Sequence, residues 1–149
     1  MRTLLLELRP ATLTESSMVE LLRQLTQAIG GRSRLSIELS IEGERPLPPE
    51  TQIALYRIAQ ESLNNISKHA GASQVTLTLT FLPETVRLTI QDNGRGFNPA
   101  DTPHQSLGLG IMRERAQKIG AELTIHSQIG VGTTVTVQCP IAKEREGES

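Results

Sequence analysis

Three polar residues, Glu61, Asn65 and Lys68, lie four and three residues apart in a segment with helical apolar periodicity. In a helix this spacing places a carboxylate, an amide and an ammonium on one stripe beside the apolar face. The same residues could also belong to a solvent-exposed edge of the helix that has no function and contains an incidental charge pair. Asn64 and Asn65 are, however, poor helix formers inside a helix, which indicates that the stripe has a function that offsets their cost.

A second polar segment, residues 92–97, reads Asp-Asn-Gly-Arg-Gly-Phe and directly follows a predicted strand. At a strand end, Asp92 can point into a cleft, while Gly94 and Gly96 let the backbone approach a ligand. The structural alternative is an Asx turn with flexible glycines. The segment is therefore a candidate ligand loop.

A third segment, residues 108–111, reads Gly-Leu-Gly-Ile and is predicted to open a helix. A glycine-rich helix N-terminus presents free N–H groups and the positive end of the helix dipole to phosphates. The segment is no dinucleotide fingerprint, because no third glycine follows at the required spacing, and no Walker loop, because Gly-Lys-Ser/Thr is missing. Gly108 and Gly110 are candidates for phosphate binding.

Hydrophobic periodicity predicts the elements that must position these groups. Helical spacing predicts helices over 18–29, ended by Gly30-Gly31, over 55–70, closing near Gly71, and over 109–119, ended by Gly120. Two-residue alternation predicts strands over 35–41, 75–81, 86–90, 123–125 and about 131–137. The segment 92–107 lacks periodicity and is predicted to be a loop.

Strict alternation in every strand predicts a sheet with one buried and one wet face. We therefore expect an α+β fold: a two-layer α/β sandwich with a mixed, mainly antiparallel sheet and all helices on one face. A doubly wound nucleotide fold is disfavoured, because its buried parallel strands would be continuously apolar.

Composition excludes several partners. Lysine plus arginine (15) nearly balance aspartate plus glutamate (16), and there are one tyrosine, two phenylalanines and no tryptophan. Neither a basic field nor stacking platforms are present, so no nucleic acid partner and no direct membrane contact are expected. The lone Cys139 is predicted to be a buried thiol.

The motifs together resemble the ATP-binding domain of bacterial sensor histidine kinases, within the gyrase, MutL and heat-shock-chaperone ATPase superfamily (Bergerat fold). The resemblance covers about residues 48–140. Its parts are the asparagine box at 55–70, two glycine boxes at 92–97 and 108–111, and a closing Gly-x-Gly-Thr turn at 130–134. Residues 68–70 and 112–116 further resemble the subclass that signals to nitrate- and LuxR-type response regulators.

The resemblance implies ATP and Mg²⁺ as cofactors. Asp92 would accept the adenine amino proton with help from Thr133 through water, Asn65 would ligate Mg²⁺, and Glu61 would be the catalytic general base. The implied nucleotide-binding residues are Asn65, Lys68, His69, Asp92, Gly94, Gly96, Gly108, Leu109, Gly110, Ile111 and Thr133. Residues 95–107 would form a mobile lid over the phosphates.

The implied activity is that of a protein histidine kinase whose phosphoacceptor lies on a separate dimerisation domain. None of His69, His104 and His126 fits the acceptor, and they are not expected to bind zinc. We expect residues 1–12 to end the preceding dimerisation helix and its linker, 13–142 to form the ATP-binding catalytic domain, and 143–149 to be a charged, frayed tail. The location is expected to be cytoplasmic, which is compatible with a membrane-anchored parent protein.

Two alternatives use the same fold. An anti-sigma-factor-type serine kinase would phosphorylate a separate protein, but the sequence Leu8-Arg9-Pro10 resembles the entry into the catalytic domain of the histidine kinase subclass. A non-catalytic nucleotide-binding module is the other alternative, and the presence of Glu61 and Asn65 argues against it.

Overall fold

The computed structural model describes residues 16–32, 34–96 and 103–141. The predicted helix end at 1–12 and the predicted tail at 143–149 lie outside these ranges, so both stay predictions. Within the described ranges, no helix is long and apolar enough to cross a membrane.

Helix α1 spans Met18–Arg32. The Ser17 hydroxyl accepts a hydrogen bond from the Glu20 N–H (3.1 Å) and so caps the first turn. Its apolar stripe is fully covered and comprises Met18, Leu21, Leu22, Leu25 and Ile29. The prediction that Gly30-Gly31 ends this helix is wrong, because the helix continues to Arg32 and neither glycine has a positive φ.

Helix α2 spans Pro49–Asn65, and its first residue is a proline, which is favoured at that position. A π-helical turn, Ile66–Ala70, continues it, and Gly71 then takes a left-handed conformation with φ 63°. The predicted end near Gly71 is thereby confirmed. The π turn is wider than an α-helical turn, so residues after Asn65 do not keep the angular position that α-helical spacing predicts.

The sheet has five strands in the order β1-β2-β3-β5-β4. The strands are β1 Ser36–Glu42, β2 Gln74–Phe81, β3 Thr85–Asp92, β4 Glu122–Gln128 and β5 Gly132–Pro140. β1 and β2 are parallel, because α2 crosses over between them, and the other neighbours are antiparallel. The predicted mixed, mainly antiparallel sheet is confirmed.

The two faces of the sheet differ as the alternation predicts. On one face, rows of apolar side chains in register meet the helices: α1 contacts β1, α2 contacts β3 and β5, and the helix that precedes β4 contacts β4. On the opposite face, threonines occupy one row across four strands, namely Thr78, Thr89, Thr136 and Thr124. Cys139 is a buried residue of the apolar face, where burial raises the pKa of its thiol.

Helix α3 spans Pro103–Lys118 and begins six residues before the predicted start. Proline is favoured as the first residue of a helix, because its φ is already helical. Pro103 therefore indicates the helix start, but the residues after it lack the apolar periodicity on which the prediction relied. The loop predicted over 92–107 is therefore wrong for residues 103–107. Gly120, with φ 70°, follows the helix where its end was predicted.

Candidate functional site

The helix-facing side of the sheet turns polar at one end. Asp92 on β3, Thr133 on β5 and Ser127 on β4 form one row of register partners. Each lies two residues from an apolar residue of the same face, because side chains on a strand alternate. If the alternation of the strands continued, the positions of this polar row would hold apolar core residues. Polar groups in such a place cost free energy unless they find partners.

The Asp92 side chain is held by backbone amides. The residue is only 6% exposed. The Gly94 N–H donates to its Oδ1 at 2.7 Å, and the Thr133 backbone N–H donates to the same carboxylate. Burial raises the pKa of Asp92 and is the largest influence on it, while both amide bonds act in the opposite direction. The Asx turn considered as an alternative does exist, and it is what fixes the carboxylate in the row.

A hydroxyl pair extends the row. The Ser127 Oγ and Thr133 Oγ1 lie 2.8 Å apart. A cavity of about 300 Å³ opens at this end of the sheet. Its lining residues come from both faces, Asp92, Ser127 and Thr133 from the row and Gln91, His126 and Thr134 from the opposite face, and include none from α2 or α3. The row thus combines a buried carboxylate and two hydroxyls at an end of the sheet that is open to solvent.

The glycines of the two turns interlock their backbones. Gly96 has φ 69°, and a Cβ there would overlap the Gln128 carbonyl. Gly132 has φ 135°, and a Cβ there would overlap the Asp92 carbonyl. The Gly130 N–H donates to the Arg95 carbonyl at 2.7 Å. The β4–β5 turn is therefore packed directly on the segment after β3, an approach that only glycine allows.

Asn93 has a structural role that the sequence did not reveal. Its Oδ1 accepts hydrogen bonds from the backbone N–H groups of Ser73 (2.9 Å) and Gln74 (3.0 Å), and its Nδ2 donates to Ser73 Oγ. These bonds attach the segment after β3 to the start of β2. Only the pairing of β2 with β3 brings residues twenty positions apart together, so no local signal predicts them.

The stripe on α2 is only partly as predicted. Glu61 and Asn65 are half-buried at the C-terminal end of the helix, whereas Lys68 lies in the π turn and is exposed. A buried hydrogen bond from Ser62 Oγ to Met112 Sδ (3.1 Å) joins this part of α2 to α3. The prediction of a single α-helical stripe is wrong at Lys68, because the π turn changes the geometry after Asn65.

The second glycine segment does not open a helix. Gly108 and Gly110 are the sixth and eighth residues of α3, beyond the first four, whose N–H groups lack partners within a helix. Gly110 is exposed and Ile111 half-buried. The prediction that residues 108–110 offer free amides is therefore wrong for this conformation, because the helix starts at Pro103.

The part of the chain that the structure describes contains no group of three acidic, histidine or cysteine side chains that could hold a metal. His126 is exposed on β4 and belongs to the face opposite the polar row. The side chains of His69, His104 and Leu109 lie outside the described part, so their predicted places stay predictions.

Sequence reasoning missed Ser127 as a member of the site. Its signal was present: Leu123, Ile125 and Ser127 alternate along β4, so a polar residue occupies a position that should be apolar. The row itself could not be read from the sequence, because it depends on the register between three strands.

Comparison with known proteins agrees with this geometry. A family model described as histidine kinase-, DNA gyrase B- and HSP90-like ATPase matches residues 50–143. The chain is 37% identical to the sensor histidine kinase LiaS of Bacillus subtilis (strain 168), over 100% of this chain and 41% of that protein. It is 40% identical to the sensor protein VraS of Staphylococcus saprophyticus, over 97% of this chain and 41% of that protein.

A solved structure gives the same result. The blue-light activated histidine kinase of Erythrobacter litoralis EL346 superimposes with a TM-score of 0.67 at 30% identity, over 80% of this chain and 40% of that one. The chain thus spans about two fifths of the length of the curated relatives it matches. It belongs to the histidine kinase-, DNA gyrase B- and HSP90-like ATPase family, as an ATP-binding domain of the type found in sensor histidine kinases.

Proposed function

We propose that this chain is the catalytic domain of a sensor histidine kinase that binds Mg-ATP and transfers the γ-phosphate to a histidine on a separate dimerisation domain. The observation that carries the proposal is the Asp92 carboxylate, buried in a polar row and held by two backbone amides. The family match over residues 50–143 and the sensor kinases among the relatives support it. Such a domain would draw on the ATP of the cytoplasm.

Asp92 would recognise the base. A carboxylate already fixed by two N–H donors can accept the adenine amino proton without losing further side-chain freedom. Thr133, its register partner on β5, would assist through water. Gly94 would leave room for the nucleotide beside the backbone, and Gly96, whose Cβ position is filled by the Gln128 carbonyl, would hold the loop that lines the nucleotide site.

The triphosphate would lie toward α2 and α3. Asn65 and Glu61, half-buried one turn apart, fit a site where an amide oxygen shares a Mg²⁺ ion with the phosphates. When bound, Mg²⁺ would neutralise charge on the triphosphate. Lys68, exposed on the π turn, would reach the phosphates from solvent, and His69 and Leu109 would lie beside the nucleotide.

The amides of Gly108 and Gly110 can bind phosphate only after a change in α3. In the described helix these N–H groups are interior, so the first turn would have to unwind and leave a helix that starts near residue 108. A helix N-terminus at that point would provide the free amides that anions require. Ile111 would then stand in the first turn, and residues 95–107 would close as the lid.

Glu61 would assist the chemical step. We assign it the role of general base for the attack of a histidine nitrogen on the γ-phosphorus, with Asn65 on the next turn. The acceptor histidine would come from the dimerisation helices of the parent protein. The phosphohistidine would then serve a response regulator of the nitrate or LuxR type.

The test is phosphoryl transfer in trans. The chain, supplied with the histidine-bearing dimerisation helices of its parent and labelled Mg-ATP, should transfer phosphate to them slowly, because no covalent tether raises the effective concentration. Glu61→Gln should keep ATP affinity and lose most of the transfer, as for a group that acts in the transition state. Exposed Glu122→Gln on β4 is the matched control and should transfer normally.

Three results would reject the proposal in different ways. Acid-stable phosphate on an added protein would indicate the serine kinase. ATP binding with no transfer to any dimerisation helices would indicate the non-catalytic module. Equal transfer by Glu61→Gln and the unaltered chain would reject the assignment of Glu61 alone.

A further inference from the structure

Asn93 and Gly94 form the only asparagine–glycine pair in the sequence. The side-chain amide of an asparagine can be attacked by the backbone nitrogen of the next residue, and glycine permits this close approach best because it has no Cβ. Asn93 is exposed to solvent, which supplies the water that the reaction consumes. The pair is therefore a candidate for spontaneous chemical modification.

The reaction at such a pair is deamidation. The Gly94 nitrogen forms a bond to Cγ of Asn93, the bond from Cγ to Nδ2 breaks, and the proton of the Gly94 N–H leaves with the departing ammonia. Water then opens the cyclic imide at either of its carbonyls. One opening gives aspartate. The other gives isoaspartate, in which the main chain runs through Cβ and Cγ and is longer by one carbon.

The folded loop holds both reacting groups in other hydrogen bonds. The Asn93 Oδ1 accepts from the backbone N–H groups of Ser73 (2.9 Å) and Gln74 (3.0 Å), and its Nδ2 donates to Ser73 Oγ (3.1 Å). The attacking group, the Gly94 N–H, donates to Asp92 Oδ1 at 2.7 Å, and a carboxylate beside it disfavours the loss of its proton. Deamidation therefore requires that the loop first open locally.

The two products fit this loop differently. An aspartate at position 93 keeps an acceptor oxygen for the two backbone N–H groups, and the Ser73 hydroxyl can donate to its other oxygen. An isoaspartate lengthens the main chain before Gly94, so the Gly94 N–H no longer reaches Asp92 Oδ1, and its free carboxylate is attached directly to Cα. Asp92, which is only 6% exposed, then stays buried with one N–H donor fewer.

We propose that Asn93 is a deamidation site that the fold protects, and that its isoaspartate product, unlike its aspartate product, disables the loop that holds Asp92. The bonds from Asn93 to Ser73 and Gln74 set the rate of modification. The bond from Gly94 to Asp92 sets its consequence. The effect on nucleotide binding rests on the proposed function, whereas the rate and the effect on stability do not.

The first experiment measures the rate at which Asn93 is converted, by peptide mapping with mass spectrometry at mildly alkaline pH. The folded chain should react at least about tenfold more slowly than the same chain in guanidinium chloride, because several hydrogen bonds must open first. Ser73→Ala removes the acceptor of the Nδ2 bond and should speed the reaction of the folded chain about fivefold. Ser73→Thr keeps the hydroxyl and should restore the slow rate.

Ser40→Ala is the matched control, because Ser40 is an exposed serine on the distant edge strand β1. It should leave the rate of the folded chain unchanged. In guanidinium chloride all these chains should react at the same rate, since the Ser73 bond exists only in the fold.

The second experiment separates the products. A chain aged in guanidinium chloride is refolded and heated to the Tm of the unaltered chain, and isoaspartate is measured in each fraction with an isoaspartyl methyltransferase. Isoaspartate should collect in the aggregated fraction. The fraction retained on immobilised Mg-ATP should be depleted in it about tenfold or more, as for a lost hydrogen bond to a charged group. Asn93→Asp, which is the other product, should keep the Tm and the ATP affinity of the unaltered chain.

Each outcome decides one part. Equal rates in the folded and denatured chains would overturn protection by the fold, and no conversion of Asn93 in either would overturn the site. Equal shares of isoaspartate in the soluble and aggregated fractions would overturn the difference between the products. An unaltered chain that does not bind ATP would remove the proposed function, while the rates and the heating experiment would still decide this inference.

Discussion

Asp92 is a carboxylate that the fold buries although burial costs it the free energy of hydration. It continues the apolar face of β3, and its carboxylate has lost water in return for two backbone N–H bonds. The raised pKa shows that burial outweighs those bonds. An apolar or neutral side chain at this position would suit the stability of the fold better. A buried carboxylate in its place is therefore a candidate for ligand binding.

This placement predicts a pH-dependent stability difference. Because the folded-state pKa of Asp92 is raised, the native state binds its proton more tightly than the unfolded state does. Asp92 therefore costs stability as pH rises from the ordinary aspartate pKa through the raised value. Relative to the unaltered chain, Asp92→Asn should gain stability across that window and keep the gain above it, as measured by urea unfolding at a series of pH values.

The same substitution should weaken nucleotide binding. A lost hydrogen bond to a charged group costs about 1.5 to 3 kcal/mol, or about ten- to a hundredfold in affinity. Asp92→Asn should thus be more stable at neutral pH and a poorer ATP binder, as calorimetry would show. A variant that loses stability and keeps its affinity would contradict both assignments.

At the scale of elements, the glycine turns determine whether the β4–β5 turn can lie on the segment after β3. Gly96 and Gly120 have nearly the same φ, 69° and 70°, but only Gly96 has backbone where a Cβ would stand. Both Gly96→Ala and Gly120→Ala pay the left-handed strain of about 1 to 2 kcal/mol. Gly96→Ala should lose about 2 kcal/mol more from the overlap, measured by chemical denaturation. Equal losses would show that the contact yields without cost.

The start of α3 allows a second prediction at this scale. If phosphate binding requires the first turn to unwind, Leu107→Pro should favour the bound form. Proline at the fifth residue of the described helix removes a backbone bond at a cost of about 3 kcal/mol, yet it suits a helix that starts at residue 107. In a fluorescence titration, Leu107→Pro should bind ATP at least as tightly as the control variant Leu107→Ala. Several-fold weaker binding would show that the long helix is the binding form.

At the scale of the whole molecule, nucleotide should stabilise the fold. A ligand that binds only the native state at a hundred times its Kd contributes about 2.7 kcal/mol. For a domain of this size that corresponds to a rise in Tm of roughly 5 to 10 °C, measured by differential scanning calorimetry with Mg-ATP. Asp92→Ala, with the ten- to hundredfold weaker affinity expected for this lost bond, should show about half of that rise or less, and an equal rise with GTP would contradict adenine recognition.

Much of the architecture follows from local patterns. The alternation in five strands and the apolar stripes of α1 and α2 determine which faces are buried, because their periods of two and 3.6 residues are set by backbone geometry. Gly71 and Gly120 end their helices because glycine adopts the left-handed conformation without steric cost. Two helix limits were predicted wrongly: α1 continues through Gly30-Gly31, and α3 starts at Pro103. Local helix propensities are weak, and tertiary context overrides them.

The sequence by itself determined which groups of the chain are suited to a nucleotide: the carboxylate of Asp92, the polar residues of α2 and the glycines that permit close approach. Only the tertiary structure decided which of them meet. Strand register places Thr133 beside Asp92 and Ser127 beside Thr133. The π turn moves Lys68 away from the stripe, and the early start of α3 occupies the amides of Gly108 and Gly110. Register and helix limits arise from packing between distant segments, and spacing along one chain does not contain that information.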